Sequence, residues 1–233
     1  LRRKADNPNV RVVVTGCWAQ RFPQLAAELG DVDLVCGNSE KARVFELLET
    51  GDRLVCAAAA GVHAFDEMSA DLLPGRSRAF LKVQDGCDFG CAYCAVCLAR
   101  GPSRSRPLQS VLRQARRLAA GGYREIVLGG INLGLWGAEL PGGLRLPRLV
   151  RELAEVEGVE RIRLSSLEPQ FLTPELTDEL FACRALAPHL HIPLQSGSDD
   201  LLAAMGRRYD TSTFRSHIEA VLRREPYAAL GFD

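Results

Sequence analysis

Residues 80–94 read FLKVQDGCDFGCAYC, an apolar segment followed at once by three cysteines with the spacing C-x3-C-x2-C. The apolar segment predicts a short strand, and the cysteines lie on the loop that follows it. Three thiolates this close together can converge on one soft metal centre. Iron–sulfur cubes usually take four cysteines, so a set of three needs explaining. One account is that the fourth iron is left open for a ligand that takes part in the chemistry.

Two other interpretations of these cysteines stay open. The last two of them form C-x2-C-x2-C with Cys97, and this spacing opens a bacterial ferredoxin signature, which then needs a cysteine followed by proline. The next cysteine is Cys183, and it is not followed directly by proline. A zinc knuckle needs a second C-x2-C pair or a histidine pair at suitable spacing, and the four histidines do not supply one.

The composition limits what the chain can be. Its 233 residues are 47% hydrophobic, which is enough for one large or two modest domains. The formal net charge is zero, so any binding of nucleic acid must rest on a local patch. Eight cysteines, clustered rather than evenly spread, favour metal binding over a disulfide framework. With no apolar run of membrane-spanning length and no signal-peptide pattern, we expect a cytoplasmic protein without membrane contact. We also expect a monomer.

The first part of the chain alternates predicted strands and helices. Residues 10–14 predict a buried strand, residues 33–37 predict a second one, and helical spacing follows each, first over Phe22–Leu29. This order predicts a parallel sheet in a small, incomplete Rossmann-like α/β layer over residues 1–56. Residues 57–76 lose the pattern and predict a linker.

The rest of the chain, residues 77–233, repeats strand and then helix. We expect a partial (β/α) barrel, truncated at about its fifth strand because the chain ends in an apolar run near Leu230. Because the chain also starts at Leu1 rather than methionine, we interpret it as a fragment. Active sites of such barrels form where the strands end. The segments expected to face one chamber there are the cysteine loop, Gly129-Gly130, Ser165–Glu168 and Gln195-Ser196.

Taken together, these runs resemble the radical S-adenosylmethionine (SAM) enzymes and, among them, the methylthiotransferases. The three cysteines, with Tyr93 before the last, match the motif C-x3-C-x-aromatic-C of the radical-SAM enzymes. Other matching runs are Val14–Gln20, Gly37–Lys41, Ala99–Arg106 and His191–Ser198, together with Met205 and Arg208-Tyr209. The resemblance implies a transferase that inserts a methylthio group at an unactivated carbon. It also implies two 4Fe–4S clusters, one that cleaves SAM and an auxiliary one that handles sulfur.

The resemblance assigns the cysteines. Cys87, Cys91 and Cys94 match the ligands of the SAM-cleaving cluster, and Cys17 matches one ligand of the auxiliary cluster. The other two auxiliary ligands lie upstream in the family, so this chain is expected to assemble one cube and not two. By residue type alone, Cys17 also fits a small buried apolar residue at a strand end. Cys97 stands where the family usually has proline, and we interpret it as a bystander thiol.

The resemblance also indicates where SAM binds. It places Gly129 and Gly130 beside the methionyl amine, and polar groups on the next two loops are candidates for hydrogen bonds to the ribose or methionyl ends. An ordinary strand-to-loop turn and ordinary loop capping explain the same residues equally well. The predicted SAM contacts are Tyr93, Gly129, Gly130, Ser166, Glu168 and Gln195.

A dense basic run suggests where a polynucleotide binds. Arginine matches phosphate geometry bidentately, so the run is a candidate contact for a tRNA substrate. A solvated charged face is the competing interpretation, and no aromatic residues are interleaved to stack bases. The run consists of Arg100, Arg104 and Arg106, followed on the next predicted helix by Arg113, Arg116 and Arg117.

Local sequence indicates a branch of the family. Gly130–Gly134 with Gly137, and Ser165–Pro169, are most similar to the branch that acts on threonylcarbamoyladenosine beside the anticodon. The branches that act on isopentenyladenosine or on a ribosomal-protein aspartate usually differ after the second barrel strand. The resemblance therefore implies a tRNA methylthiotransferase that needs an electron donor. Another radical-SAM enzyme with a redox-inert front domain and a non-catalytic iron–sulfur or zinc protein are the alternatives from other classes.

Overall fold

A computed structural model describes residues 6–7, 9–67 and 76–233. These residues divide into two compact units. The first contains the described residues up to 67 with Gly86–Asp88 and Cys94–Pro102, and the second contains residues 76–85, Phe89–Tyr93 and Ser103–Asp233. The units therefore differ from the predicted boundaries, because the cysteine loop contributes to both. Of the predicted linker, residues 57–67 belong to the first unit and residues 68–75 lie outside the described residues.

The first unit contains the predicted parallel α/β layer. Three strands pair in chain order, and all pairs are parallel: β1 (Val13–Val14), β2 (Leu34–Cys36) and β3 (Leu54–Val55). The helices are α1 (Cys17–Arg21), α2 (Pro23–Ala27) and α3 (Val44–Thr50). Separate apolar clusters lie around Val35 and around Leu34 and Cys36, so both faces of β2 are covered, as is usual for a parallel sheet.

Two elements of this unit differ from the sequence prediction. The buried strand predicted over residues 10–14 is only β1, which is half-buried. Pairing in register begins at Val13 because the Val12 amide donates to the carboxylate of Asp33, at 2.7 Å. Helix α1 was not predicted, and it begins directly after Gly16, whose φ of 106° favours glycine.

Residues beyond β3 also pack within the first unit. Gly101 follows helix α4 (Val96–Arg100), and a Cβ added at Gly101 would lie 2.1 Å from the carbonyl oxygen of Ala59. The Asn38 side-chain amide donates to the Ala99 carbonyl oxygen at 2.8 Å. Through contacts such as that of Ala59 with Gly101, described residues beyond β3 pack within the first unit.

The second unit is the predicted partial (β/α) barrel. Its described residues contain five parallel strands: β4 (Arg78–Lys82), β7 (Glu125–Gly129), β8 (Arg161–Leu164), β9 (His189–Ile192) and β10 (Ala229–Phe232). Isolated parallel bridges join β8 to β9, at Ile162 with Leu186 and at Ser166 with His191. A short antiparallel pair, β5 (Gln84–Asp85) with β6 (Arg104–Ser105), follows β4. The helices are α5 (Leu108–Ala120), α6 (Leu146–Ala154), α7 (Pro174–Phe181), α8 (Asp199–Ala204) and α9 (Thr211–Arg224).

Alternating residues of the strands form the core between sheet and helices. In β4, Ala79 and Leu81 are buried while Phe80 between them is 59% exposed, which is the alternation of a strand with one covered face. Trp136 is fully buried in the loop after β7, and its indole N–H donates to the Arg106 carbonyl oxygen at 3.1 Å. This buried contact fixes the loop that follows Gly129 and Gly130.

Gly137, in the same loop, provides a test of this packing. Gly137 and Gly142 both have positive φ, 93° and 86°, so alanine is strained at either position by about 1–2 kcal/mol. An added Cβ at Gly137 would lie 2.3 Å from the Leu144 carbonyl oxygen, whereas at Gly142 it meets nothing within 4 Å. We expect Gly137→Ala to lower the free energy of unfolding, measured in urea, by about 1–3 kcal/mol more than Gly142→Ala. Equal losses would contradict the described close approach.

Candidate active site

The cysteines of the loop are free thiols that differ in burial. Cys91 is buried, whereas Cys87 and Cys94 are half-buried, and none of them forms a disulfide. Within the described ranges, no three His, Cys, Asp or Glu side chains stand in an arrangement ready to hold a metal ion. The assignment of these thiols as cluster ligands therefore stays a prediction from the motif.

The groups around the sulfur atoms fit an iron–sulfur centre. In the first unit, the Val96 backbone N–H donates to the Cys94 sulfur at 3.5 Å. In the second unit, the guanidinium of Arg207 donates to the Cys91 sulfur at 3.6 Å. Donors of this kind stabilise thiolates, the form that binds iron, and tune the metal they ligate. The chain therefore offers three thiols on one loop, two of them with donors directed at sulfur.

The loop backbone depends on a glycine at its start. Gly86 has φ 71°, and an added Cβ would lie 1.9 Å from the Pro102 carbonyl oxygen. The next amide, that of Cys87, donates to the Gly101 carbonyl oxygen at 3.2 Å. Both contacts lie in the first unit and fix where the chain enters the cysteine loop.

Arg207, which the sequence analysis did not single out, connects several predicted site residues of the second unit. Its Nη1 atom donates to the Cys91 sulfur and, at 3.3 Å, to the hydroxyl of Tyr93. Its Nη2 atom forms an ion pair with Glu168. The Arg207 side chain is 4% exposed, and of its partners Cys91 is buried while Tyr93 is 52% exposed. The structure thus brings Cys91, Tyr93 and Glu168 together around one buried cation.

Glu168 is held by this cation. Burial raises the pKa of its carboxyl, and the charge of Arg207 and its hydrogen bond oppose that rise. The same surroundings act on the arginine: burial lowers its pKa, but Glu168 and Tyr209 oppose this and the net change is upward. The predicted contact of Glu168 with SAM is not tested by this arrangement, and the residue's described partner is Arg207.

Gly129 is the last residue of β7 and Gly130 follows it, and at Gly130 the lack of a side chain matters for packing. The Gly129 carbonyl oxygen accepts the Val83 amide at 2.8 Å. A Cβ added at Gly130 would lie 2.9 Å from the Leu133 side chain and 3.0 Å from Cβ of Gln84. Both glycines lie at the carboxyl end of the sheet, as predicted, and their contact with SAM stays a prediction.

Two further predicted residues lie after β8 and β9. The Ser166 hydroxyl is 2.8 Å from Nδ1 of His191, which bridges the ends of these neighbouring strands. Gln195 has φ 65°, and its backbone amide donates to the Asp233 carbonyl oxygen at 2.8 Å. Nearby on β9, burial and then the charge of Arg163 lower the pKa of His189. Ser166 and Gln195 thus follow β8 and β9 at the predicted edge of the sheet.

Two arginines of the predicted tRNA-contacting run are in the wrong place for that role. Arg104 and Arg106 are each 4% exposed, which contradicts the expectation that they contact a polynucleotide. Arg104 pairs with Asp85 at 3.0 Å, and Arg106 donates to Ser110 at 3.0 Å and to Gln114. They are buried because β6 pairs with β5 inside the unit. Arg100 is half-buried at the end of α4, and the exposed members of the run are Arg113, Arg116 and Arg117 on α5.

The remaining cysteines of interest are in the first unit. Cys17 is half-buried at the start of α1, so it is not simply a buried apolar residue at a strand end. The Cys97 sulfur lies 3.9 Å from the Cys94 carbonyl oxygen.

No helix in the described part of the chain is long and apolar enough to cross a membrane.

Parallel strands in barrel order, with a three-cysteine loop after the first of them, define the class of radical-SAM enzymes. The model of the Radical SAM superfamily matches residues 81–225, more than half of the chain, and the chain belongs to this superfamily. The predicted α/β fold and the resemblance to this family are thereby confirmed.

Among curated proteins, the chain is similar to "Threonylcarbamoyladenosine tRNA methylthiotransferase MtaB" of Thermotoga maritima. The two are 36% identical over 223 residues, 94% of this chain and 50% of that protein. The same-named protein of Bacillus subtilis is 34% identical over 98% of this chain and 52% of its own length. A "tRNA-2-methylthio-N(6)-dimethylallyladenosine synthase" of Sphingopyxis alaskensis is 37% identical over 99% of this chain and 53% of its own length. The chain spans about half the length of these relatives.

Two solved structures show the same fold. A radical S-adenosylmethionine methyltransferase, TsrM from Kitasatospora setae, with cobalamin and a [4Fe-4S] cluster bound, gives a TM-score of 0.67 at 15% identity. The match covers 96% of this chain and 50% of TsrM. The cobalamin-dependent S-adenosylmethionine radical enzyme OxsB gives a TM-score of 0.66 at 14% identity. That match covers 99% of this chain and 37% of OxsB. At these identities the likeness supports the fold alone.

Proposed function

We propose that the chain belongs to a tRNA methylthiotransferase that acts on threonylcarbamoyladenosine next to the anticodon. The observation that carries the proposal is the three-cysteine loop after the first barrel strand in a chain 36% identical to an enzyme of that name. The proposal includes tRNA as substrate and an external electron donor. It also places a monomeric enzyme in the cytoplasm, where tRNA is modified.

In this proposal Cys87, Cys91 and Cys94 hold a 4Fe–4S cluster with one iron open to SAM. A cluster held there would supply the one-electron reduction that cleaves SAM, from which the radical that takes a hydrogen atom from adenine would derive. Cys17 is proposed as one ligand of a second, sulfur-supplying cluster.

The chain's own residues bind and orient the reactants. Gly129 and Gly130 let the backbone approach the methionyl end of SAM, because no side chain stands in the way. Ser166, paired with His191, and Gln195 offer hydrogen-bonding groups from the neighbouring strand ends. The rigid sheet beneath holds these loops in place, as the barrel strands of such enzymes do.

The test compares two modified tRNAs. The reduced, full-length protein is incubated with SAM and tRNA that carries either threonylcarbamoyladenosine or dimethylallyladenosine, and the nucleosides are analysed by mass spectrometry. We expect a methylthio product from the first substrate and none from a Cys91→Ala variant. The second substrate is a real competitor because a relative named for it is 37% identical to this chain. Product from that tRNA alone, or from neither, would contradict the proposed function.

A further inference from the structure

Arg207 is placed to act on the cluster through one of its ligands. Its side chain is nearly inaccessible to solvent, and its guanidinium offers five N–H donors in a planar fork. Those donors reach Cys91 at 3.6 Å, the Tyr93 hydroxyl at 3.3 Å and the Tyr209 hydroxyl at 3.2 Å. The remaining terminal nitrogen forms the ion pair with Glu168. One arginine therefore engages the cysteine loop and the loop after β8 together.

The surrounding backbone keeps this arginine against the cysteine loop. The Ala92 amide donates to the Met205 carbonyl oxygen at 2.9 Å, which ties the loop to the segment before Arg207. On the other side, the Tyr209 hydroxyl lies 2.8 Å and 2.7 Å from the carbonyl oxygens of Pro193 and Leu194. Because both flanks are fixed, the guanidinium is held near the Cys91 sulfur.

A fixed cation beside a ligating sulfur has a defined electrostatic effect. Arginine stays protonated in proteins, and charge interactions are stronger in a buried site than in water. Reduction adds an electron to an iron–sulfur cluster, and hydrogen bonds to its sulfur ligands are among the features that set its potential. The charge of Arg207 therefore favours the reduced cluster, and the carboxylate of Glu168 opposes that effect.

We propose that Arg207 is a positioning residue that orients Cys91 and raises the reduction potential of the cluster. The carboxylate of Glu168 opposes this effect and lowers the potential. The inference rests on the proposed function, since it requires that Cys87, Cys91 and Cys94 hold the cluster. It adds a residue that acts through a ligand and not on the substrate.

The test uses variants of opposite predicted sign. Arg207→Gln, Arg207→Lys and Glu168→Gln are reconstituted anaerobically beside Arg113→Gln, an exposed arginine of α5 that serves as the matched control. Iron content is measured first, and the cluster is then titrated potentiometrically and followed by electron paramagnetic resonance. Arg207→Gln should lower the ratio of reduced to oxidised cluster at a fixed potential about tenfold, which is ~59 mV for one electron. Glu168→Gln should raise that ratio, Arg207→Lys should fall between wild type and Arg207→Gln, and Arg113→Gln should match wild type.

The opposite signs separate electrostatic tuning from a structural role. If Arg207 mattered only for packing, Arg207→Gln and Glu168→Gln would move the reduction potential in the same direction or leave it unchanged. Either result overturns the inference. If Arg207→Gln does not fold, as judged by thermal unfolding of the iron-free protein, Glu168→Gln still decides the matter by the sign of its shift. A wild-type protein that binds no cluster would refute the proposed function itself.

Discussion

Replacing Cys91 by alanine is expected to abolish cluster assembly and, with it, all cleavage of SAM. Removing one of three protein ligands leaves two thiols, which is too few to hold a cube with an open iron. Cys91 is also the buried thiol that receives the hydrogen bond from Arg207. The measurements are iron content, visible absorbance after anaerobic reconstitution, and formation of deoxyadenosine in the presence of a reductant.

Two other cysteines serve as controls for this experiment. Cys183→Ala removes a half-buried thiol that the motif does not include, and Cys97→Ala removes the thiol nearest in sequence to the motif. Both variants should keep the cluster and cleave SAM. A Cys91→Ala protein with the iron content of wild type would refute the assignment of this ligand. Loss of the cluster in Cys97→Ala would instead identify Cys97 as a ligand and the three-cysteine interpretation as wrong.

Replacing Asp85 by alanine is expected to cost about 3–5 kcal/mol of the free energy of unfolding, because it leaves a charge buried without its ion-pair partner. The Asp85 and Arg104 side chains are each 5% exposed and pair at 3.0 Å. Asp85 also accepts from Lys82 at 2.7 Å, but the Lys82 side chain is 46% exposed. The measurement is urea unfolding of the iron-free protein, so that cluster loss does not enter the result.

The comparison with Lys82 sharpens this prediction. Lys82→Ala breaks an ion pair that is partly in solvent and should cost no more than about 1 kcal/mol. The double variant Asp85→Ala with Arg104→Met removes both buried charges and should recover most of the lost stability. A loss in Asp85→Ala no larger than in Lys82→Ala would show that the buried pair is not as described.

The barrel and its cysteine loop were predictable because their signals are local. The apolar run Ile126–Leu128 forms β7, and similar runs form the neighbouring strands. The helical spacing between such runs favours parallel pairing, which the structure shows. The C-x3-C-x2-C spacing is likewise contained in a few residues. Loops that follow parallel strands lie at the same edge of the sheet. This rule predicts that Gly129, Ser166 and Gln195 lie at one edge, and the structure agrees.

Other features depend on contacts that no local pattern encodes. Arg104 and Arg106 read as a basic surface, because the two-residue strands β5 and β6 carry polar residues and have no apolar signature. Arg207 is 116 positions from Cys91, so its contact follows from the path of the chain through the partial barrel and not from local spacing. Its one sequence signal was its place between Met205 and Tyr209, in a run that resembles the family.

The central claim is that three cysteines hold a cluster whose remaining iron is open to SAM, and one measurement tests it most directly. The anaerobically reconstituted and reduced protein is examined by electron paramagnetic resonance before and after SAM is added. The account predicts a four-iron signal that changes on addition of SAM and is absent from the Cys91→Ala variant. A cluster signal that is indifferent to SAM, or one that survives in Cys91→Ala, would contradict it.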